Sequence, residues 1–125
     1  TREKMRIEFN EEKKVITIST PGKNTVEISD DDKHIKLTDQ NKNEIVMNSS
    51  GISLSSAKDI TLKAKGAITI EATSKINATA KQDVSLEGLN VKMEAKVSAT
   101  VKGNAKAELL ASGQTTVKGA MVMIN

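Results

Sequence analysis

The sequence contains no cysteine, no tryptophan and no tyrosine, and its only aromatic residue is Phe9. Without cysteine the chain can form no disulfide, has no thiolate nucleophile and cannot build a cysteine-ligated zinc site. A single globular core usually relies on large aromatic and aliphatic side chains. Because the apolar residues here are isoleucine, valine, leucine and much alanine, we expect a core that is thin and regular, or shared between chains.

Long apolar segments are also missing. No apolar run reaches about 18 residues, so the sequence predicts no membrane-spanning helix, and no signal peptide is visible. The first residue is Thr1 and not methionine, so we interpret the chain as a piece of a longer protein. Its 125 residues correspond to one domain at most.

The net charge of +3 is unevenly distributed. Residues 1–50 carry 9 Lys/Arg and 10 Asp/Glu, whereas residues 51–125 carry 10 and 6. A basic surface is one mark of nucleic-acid binding. However, non-specific single-strand binders stack bases on aromatic side chains, and residues 51–125 contain none. We therefore interpret the lysines as a solvated surface and expect no nucleic-acid partner.

The dominant feature of the sequence is an eight-residue repeat that starts at Ile52. Each repeat offers two apolar positions two residues apart, which hold bulky side chains except at Ala78, then a small residue such as Ala64 and a turn-like residue such as Gly66. The odd-numbered residues of the segment 53–87 are all polar except two alanines. This alternation is typical of β-strands with one buried face. Because eight is even, the same face stays buried in every repeat.

The apolar residues change from even to odd positions once, at Gly88-Leu89. The interval of eight continues beyond this point, for example from Val101 to Leu109. We interpret the change as the loss of one residue at a corner, which Gly88 is well suited to absorb. A helix over residues 92–110 is the alternative, because alanine, lysine and glutamate favour it. Apolar residues at every second position would, however, give such a helix no apolar stripe.

The segment before the repeat is less regular. Short apolar pairs begin at Ile16, Val26, Ile35 and Ile45, and clusters rich in asparagine, aspartate, glycine and proline separate them. These residues supply turn dihedral angles and side-chain bonds to the backbone. The predicted organisation is a lead-in over 1–14, an irregular β-meander over 15–51, an octad-repeat β-helix over 52–119 and a terminal tip over 120–125.

An eight-residue repeat is too short to close on itself. It provides one strand of about five residues and a corner, whereas a single-chain solenoid turns three corners and needs roughly 20 residues per coil. We therefore predict an all-β fold in which three identical chains form an intertwined, triple-stranded β-helix, a triangular prism with octad repeats and no folded monomer. The predicted core of the trimer consists of Ile52, Leu54, Ile60, Leu62, Ile68, Ile70, Ile76, Val84, Leu86, Val91, Met93, Val101, Leu109 and Val117.

Short runs that alternate apolar and polar residues recur along the chain. They occupy residues 16–24 (ITISTPGKN), 26–30 (VEISD), 35–37 (IKL), 51–54 (GISL), 59–64 (DITLKA) and 66–72 (GAITIEA). In these runs the sequence resembles the spike region of VgrG proteins, the valine-glycine repeat spikes of type VI secretion systems. It is similar in the same way to the spikes of phage baseplates and related contractile injection machines. The resemblance extends over about residues 15–125.

The resemblance implies a structural spike that punctures the envelope of a target cell. In that family, hub domains with oligonucleotide-binding-type barrels precede the needle and connect it to the tail tube and baseplate; residues 1–14 would be the linker from such a hub. The resemblance also implies assembly in the bacterial cytoplasm, injection into a target cell and only transient contact with the target membrane. A PAAR-repeat-type cap protein or an effector would bind the C-terminal tip, formed by Ala120, Met121, Val122, Met123, Ile124 and Asn125.

The sequence predicts no catalytic, cofactor or metal site. His34 is the only histidine, so no second histidine or cysteine can complete a zinc site, nor can the His-x-His iron site of some phage spikes form. We interpret His34 as an exposed loop residue that points away from the side of Ile35. Asp30 to Asp32 lack the glycine and distal glutamate of a calcium loop, which favours a turn. A filled prism offers no substrate cleft, so we expect no enzyme.

Residues 121–124 interrupt the alternation with four consecutive apolar side chains. They form either a final strand that closes the fold or an exposed platform for a partner, and the two interpretations are compatible. Methionine, which is adaptable, suits a contact surface.

Two other classes of function stay open. A surface-binding β-solenoid, such as an adhesive or ice-binding fibre, needs a flat array of one side-chain type. The outward-facing positions instead hold a mixed series: Ser53, Thr61, Thr69, Asn77 and Ser85. A glycan-cleaving phage tail spike needs an acidic groove with paired carboxylates.

Overall fold

The computed structural model describes residues 3–125, so the first two residues of the expected lead-in lie outside the described part. Within this part the chain is all-β, with six strands and no helix. Each strand is five residues long. The strands are β1 (Arg6–Asn10), β2 (Val15–Ser19), β3 (Thr25–Ser29), β4 (His34–Thr38), β5 (Glu44–Asn48) and β6 (Gly51–Ser55).

The six strands form one antiparallel sheet in sequence order, from β1 to β6. Each strand therefore pairs with its neighbours along the chain, which is the topology of a meander. The predicted all-β class is confirmed. Residues 92–110, for which a helix was the alternative, contain none. Strand β1 lies inside the segment 1–14, and the boundaries of the four predicted segments stay predictions.

Four of the five turns of the meander share one geometry. Five lysines have positive φ angles, between 49° and 68°: Lys4, Lys14, Lys23, Lys33 and Lys42. In four of the turns the lysine N–H donates a hydrogen bond to the carbonyl oxygen three residues earlier: Lys14 to Glu11, Lys23 to Thr20, Lys33 to Asp30 and Lys42 to Asp39. A turn followed by a left-handed residue is a common hairpin loop, because it fits the right-handed twist of the flanking strands.

The register of the strands separates two faces. Directly opposite residues of antiparallel strands share a face. One face, here called the apolar face, consists of two rows of six residues. The first row holds Ile7, Ile18, Val26, Leu37, Ile45 and Leu54, and the second holds Phe9, Ile16, Ile28, Ile35, Met47 and Ile52. The other face carries most of the charged side chains, including Glu8, Glu27 and Lys36.

The described chain divides into two compact units, one up to Glu71 and one from Ala72 to Asn125. All six strands belong to the first unit, and no strand follows Ser55. In the first unit the backbone after Ser55 bends at residues 57–58 and 65–66. In the second unit it bends at 73–74, 81–82, 89, 96–97, 104–105, 112–113 and 120.

Successive bends after Ser55 start eight residues apart, with one exception. The interval from residue 89 to residue 96 is seven. The short interval follows Gly88-Leu89, where the apolar residues change from even to odd positions. The pattern of apolar residues and the spacing of the backbone bends therefore both change next to Gly88-Leu89. Among residues 3–125 no helix is long and apolar enough to cross a membrane.

Gly51 begins β6 with a φ of +120°, a backbone conformation that residues with a Cβ rarely adopt. We expect Gly51→Ala to lower the free energy of unfolding by about 1–3 kcal/mol, the usual cost of such backbone strain. Denaturant unfolding at fixed protein concentration measures the change. Gly66→Ala is the matched control, because nothing lies within 4 Å of an added Cβ there. Equal effects of the two substitutions would contradict the role given to the φ angle.

Candidate assembly surface

The apolar face of the sheet is open to solvent in the single chain. Of its twelve side chains, Val26 and Met47 are half-buried and the other ten are exposed, by 37–77%. No apolar side chain among residues 3–125 is buried, and the one buried polar residue there is Ser29. A single-layer sheet has no second layer to pack on, although domains normally bury a core between two layers.

The accessible surface shows how much cover is missing. The chain exposes 13039 Å², whereas a compact monomer of its 13.4 kDa exposes roughly 6,500 Å². The excess is therefore roughly 6,500 Å² for each chain, which is more than large permanent interfaces of about 5,000 Å² bury in both partners together. A surface of this size is suited to permanent association.

The side chains that the sequence assigns to a trimer core are all exposed in the single chain, by 52–80%. They run from Ile52 to Val117. Residues 56–125 form no strand within the chain. No neighbouring strand of the same chain therefore covers their side chains or bonds to their backbone. Backbone N–H and C=O groups require partners when they are buried. The burial of these residues between chains stays a prediction.

The two polar residues His34 and Glu27 meet on the charged face of the sheet. Strands β3 and β4 are adjacent, and His34 Nε2 lies 2.6 Å from Glu27 Oε1. Only 20% of the His34 side chain is exposed. The expectation of an exposed loop histidine is therefore wrong, because β4 begins at His34 itself and strand pairing brings the carboxylate to the ring. His34 and Ile35 are neighbours in β4, so their side chains point to opposite faces, as expected.

A second pair on this face joins Lys36 to Glu44, with 2.9 Å between Nζ and Oε2. The hydrogen bond to Glu44, followed by the attraction of the same carboxylate, raises the pKa of Lys36 above its ordinary value. Both side chains are about one-third exposed, so solvent screens the pair and its contribution to stability is small.

The turn between β4 and β5 is held together by Asp39 and Asn43. The backbone N–H and the side-chain amide of Asn43 donate to the two carboxylate oxygens of Asp39, both at 2.8 Å. Asn41 donates to the same carboxylate from its backbone and side chain. The backbone bond from Asn43 is the main cause that lowers the pKa of Asp39. The ionised Asp39 carboxylate therefore stabilises the folded state at pH values above the pKa that Asp39 has in the unfolded chain. This stabilisation is lost as the pH falls through the lowered pKa of the folded state.

Asn43 also reaches the first residues after the sheet. Its Oδ1 accepts a hydrogen bond from Ser56 Oγ at 2.8 Å and one from the N–H of Ala57 at 3.2 Å. The N–H of Lys58 then donates to Ser56 Oγ at 3.2 Å. We call this set of contacts the Asn43 junction. It connects the meander to the first bend of the following segment, at residues 57–58.

The turn between β2 and β3, at the same end of the sheet, has similar hydrogen bonds. Asn24 donates to Thr20 Oγ1 from its backbone and side chain. Its Oδ1 accepts a bond of 3.0 Å from the N–H of Gln40, in the next turn. An asparagine at the end of each of the two turns thus bonds to the backbone of the turn that follows. The alternation of apolar and polar residues does not reveal this role, but the shared Lys-Asn ending of the two turns, 23–24 and 42–43, is a visible signal of it.

An open depression on the apolar face adjoins these two turns. The apolar part of its wall comes from the first row, from Ile18 to Leu54, and the polar end from Thr20, Asn24, Asp39 and Asn43. The sequence-derived core did not include the rows of β1 to β5, although they show the same alternation as the repeat. No group of His, Cys, Asp or Glu among residues 3–125 could hold a metal ion. Asp30 to Asp32 lie in the β3–β4 turn, as predicted.

The predicted tip residues are also exposed. The exposed fractions of Met121, Val122, Met123 and Ile124 are 79%, 49%, 79% and 90%. They belong to the second unit. Four neighbouring apolar side chains without cover are the chemistry expected of a contact surface, but which molecule covers them stays a prediction.

A comparison with protein-family models gives one match that bears directly on this surface. Residues 15–80 match the model of the phage baseplate V C-terminal trimerisation domain. No curated protein matches the chain. The matched segment includes β2 to β6 and the first bends, and the apolar side chains of β2 to β6 are among those left without cover. The match supports a homotrimer and confirms the resemblance to spike proteins of the baseplate type. The chain belongs to the phage baseplate V C-terminal trimerisation domain family.

Proposed function

We propose that three copies of this chain form the spike of a contractile injection apparatus, in which an intertwined β-helix with octad repeats gives a stiff, narrow prism. The observation that carries the proposal is the uncovered apolar surface. Apolar side chains recur from the meander to Val117, and none of them is buried by its own chain. The family match supports the baseplate role.

In the proposed trimer the apolar faces of three meanders meet around one axis, and the repeat strands of each chain pair with those of the other two. Burial of each isoleucine or leucine contributes about 1.5–3 kcal/mol. Pairing between chains also closes the sheet, which removes free strand edges that would otherwise aggregate. The bends at intervals of eight residues support this arrangement, since they provide one corner for each short strand.

The proposed role is mechanical and not catalytic. A spike with a filled axis transmits the thrust of the contracting tail and carries a cap protein or an effector through the envelope of the target cell. The VgrG-like runs support the proposal that this apparatus is a type VI secretion system or a related one. The trimer would assemble in the bacterial cytoplasm and meet the target membrane only during injection. The exposed tip, residues 120–125, is the proposed site of a PAAR-repeat-type cap or effector.

The first test concerns which side of the repeat is buried. Native mass measurement of the unsubstituted protein should give three chains. Ile68→Asp then places three unpaired carboxylates inside one layer, which costs several kcal/mol per site and should prevent or weaken trimer formation. Thr69→Asp is the matched control, because the next side chain along the strand points to water. Equal tolerance of both substitutions, or a stable folded monomer, would contradict the proposed trimer.

The second test concerns the tip. Deletion of residues 120–125 should abolish binding of a PAAR-repeat-type cap protein and leave the trimer folded, because in a repetitive fold each layer depends mainly on its neighbours. Co-purification with the cap protein and native mass of the truncated spike measure the two effects. Undiminished binding by the truncated trimer would move the partner site to another surface.

A further inference from the structure

The regular part of the repeat, which precedes the shortened interval at residues 89–96, does not by itself determine how three chains align. If one chain is displaced by eight residues, Ile68 takes the place of Ile60 and Ile70 takes the place of Leu62. Within this part the side chains in each layer stay similar, and Ala78 is the exception among the bulky positions. A strand register is specified weakly where neighbouring alternatives bury equivalent side chains.

The meander repeats at a different interval. Its first five strands begin at Arg6, Val15, Thr25, His34 and Glu44, which gives intervals of 9, 10, 9 and 10 residues. Neighbouring strands run in opposite directions, so a displacement by one strand would reverse the direction of every strand. The smallest displacement that keeps the directions is one hairpin, 9 + 10 = 19 residues. Since 19 is not a multiple of eight, a displacement that suits the meander does not suit the repeat.

The Asn43 junction connects the two intervals within one compact unit. Asp39 fixes the orientation of Asn43 through two bonds of 2.8 Å, and Asn43 in turn holds Ser56 and Ala57. The first bend of the repeat is therefore oriented by side chains of the meander, and not only by the covalent chain.

We propose that the meander, coupled to the first bend by the Asn43 junction, sets the register in which three copies of the repeat segment align. This inference rests on the proposed trimer. It makes the meander an alignment device as well as part of the assembly surface, and it gives Asn43 a positioning role. The shortened interval at residues 89–96 is the other irregular feature of the repeat and the rival candidate for setting the register.

The main test mixes two chains whose repeats differ in length. One is the unsubstituted chain, and the other lacks residues 60–67, one complete repeat that lies beyond the Asn43 junction and before the shortened interval. The protein has no cysteine, so Glu12→Cys or Thr116→Cys gives a single site for a spin label. The two chains are refolded together, and spin–spin distances are measured in the mixed trimers.

If the meander sets the register, the distances at position 12 match those of unmixed trimers and the distances at position 116 are shifted. If the shortened interval or the C-terminal end sets it, position 116 keeps its distances and position 12 is shifted, which overturns the inference. Native mass of the unmixed protein is measured first. A protein that is not a trimer contradicts the proposed function, whereas a trimer aligned from its C-terminal side contradicts only the present inference.

The second test applies even if the two chains do not assemble together. Asn43→Ala in the full chain labelled at position 116 should produce a second distance population, since the bend at 57–58 is no longer held by the meander. Asn41→Ala is the matched control, because Asn41 lies in the same turn and bonds to Asp39 but not to Ser56. A trimer with a single, unchanged distance population in both variants contradicts the role of Asn43.

Discussion

Side chains on a β-strand alternate between two faces, and a single sheet layer therefore cannot cover its own apolar face. The exposure of the apolar side chains follows from that constraint. The meander collects twelve apolar side chains on one face, and residues 3–125 supply no second layer for them. The family of trimerisation domains to which the chain belongs supports a homotrimer, and in the proposed trimer two further copies cover this face.

The two segments meet the same constraint differently. In the meander, neighbouring strands of the same chain lie on both sides of β2 to β5 and bond to their backbone, whereas β1 and β6 are edge strands. In residues 56–125 the backbone also lacks strand partners. Local hairpins form early because their contacts are close in sequence, whereas pairing between distant segments is slow. The meander is therefore well placed to form before the repeat, which is consistent with its proposed part in alignment.

Alternation and spacing were enough to predict the all-β class, the turns and the apolar positions. The same pattern could not predict the Asn43 junction, because Asn43 and Ser56 are 13 residues apart and meet only through the register of β5 and β6. The contact of His34 with Glu27 was missed for the same reason. The left-handed lysines were also not foreseen, since glycine or asparagine is the usual residue with positive φ.

Amide hydrogen exchange tests the central claim most directly, because it reports which backbone N–H groups are bonded. If the repeat strands pair with those of other chains, the amides of residues 60–118 are protected although the single chain offers them no strand partner. Their protection should be lost together with the trimer when the protein is dissociated. Exchange of these amides at the rate of an unfolded backbone, while β2 to β5 stay protected, would contradict the account.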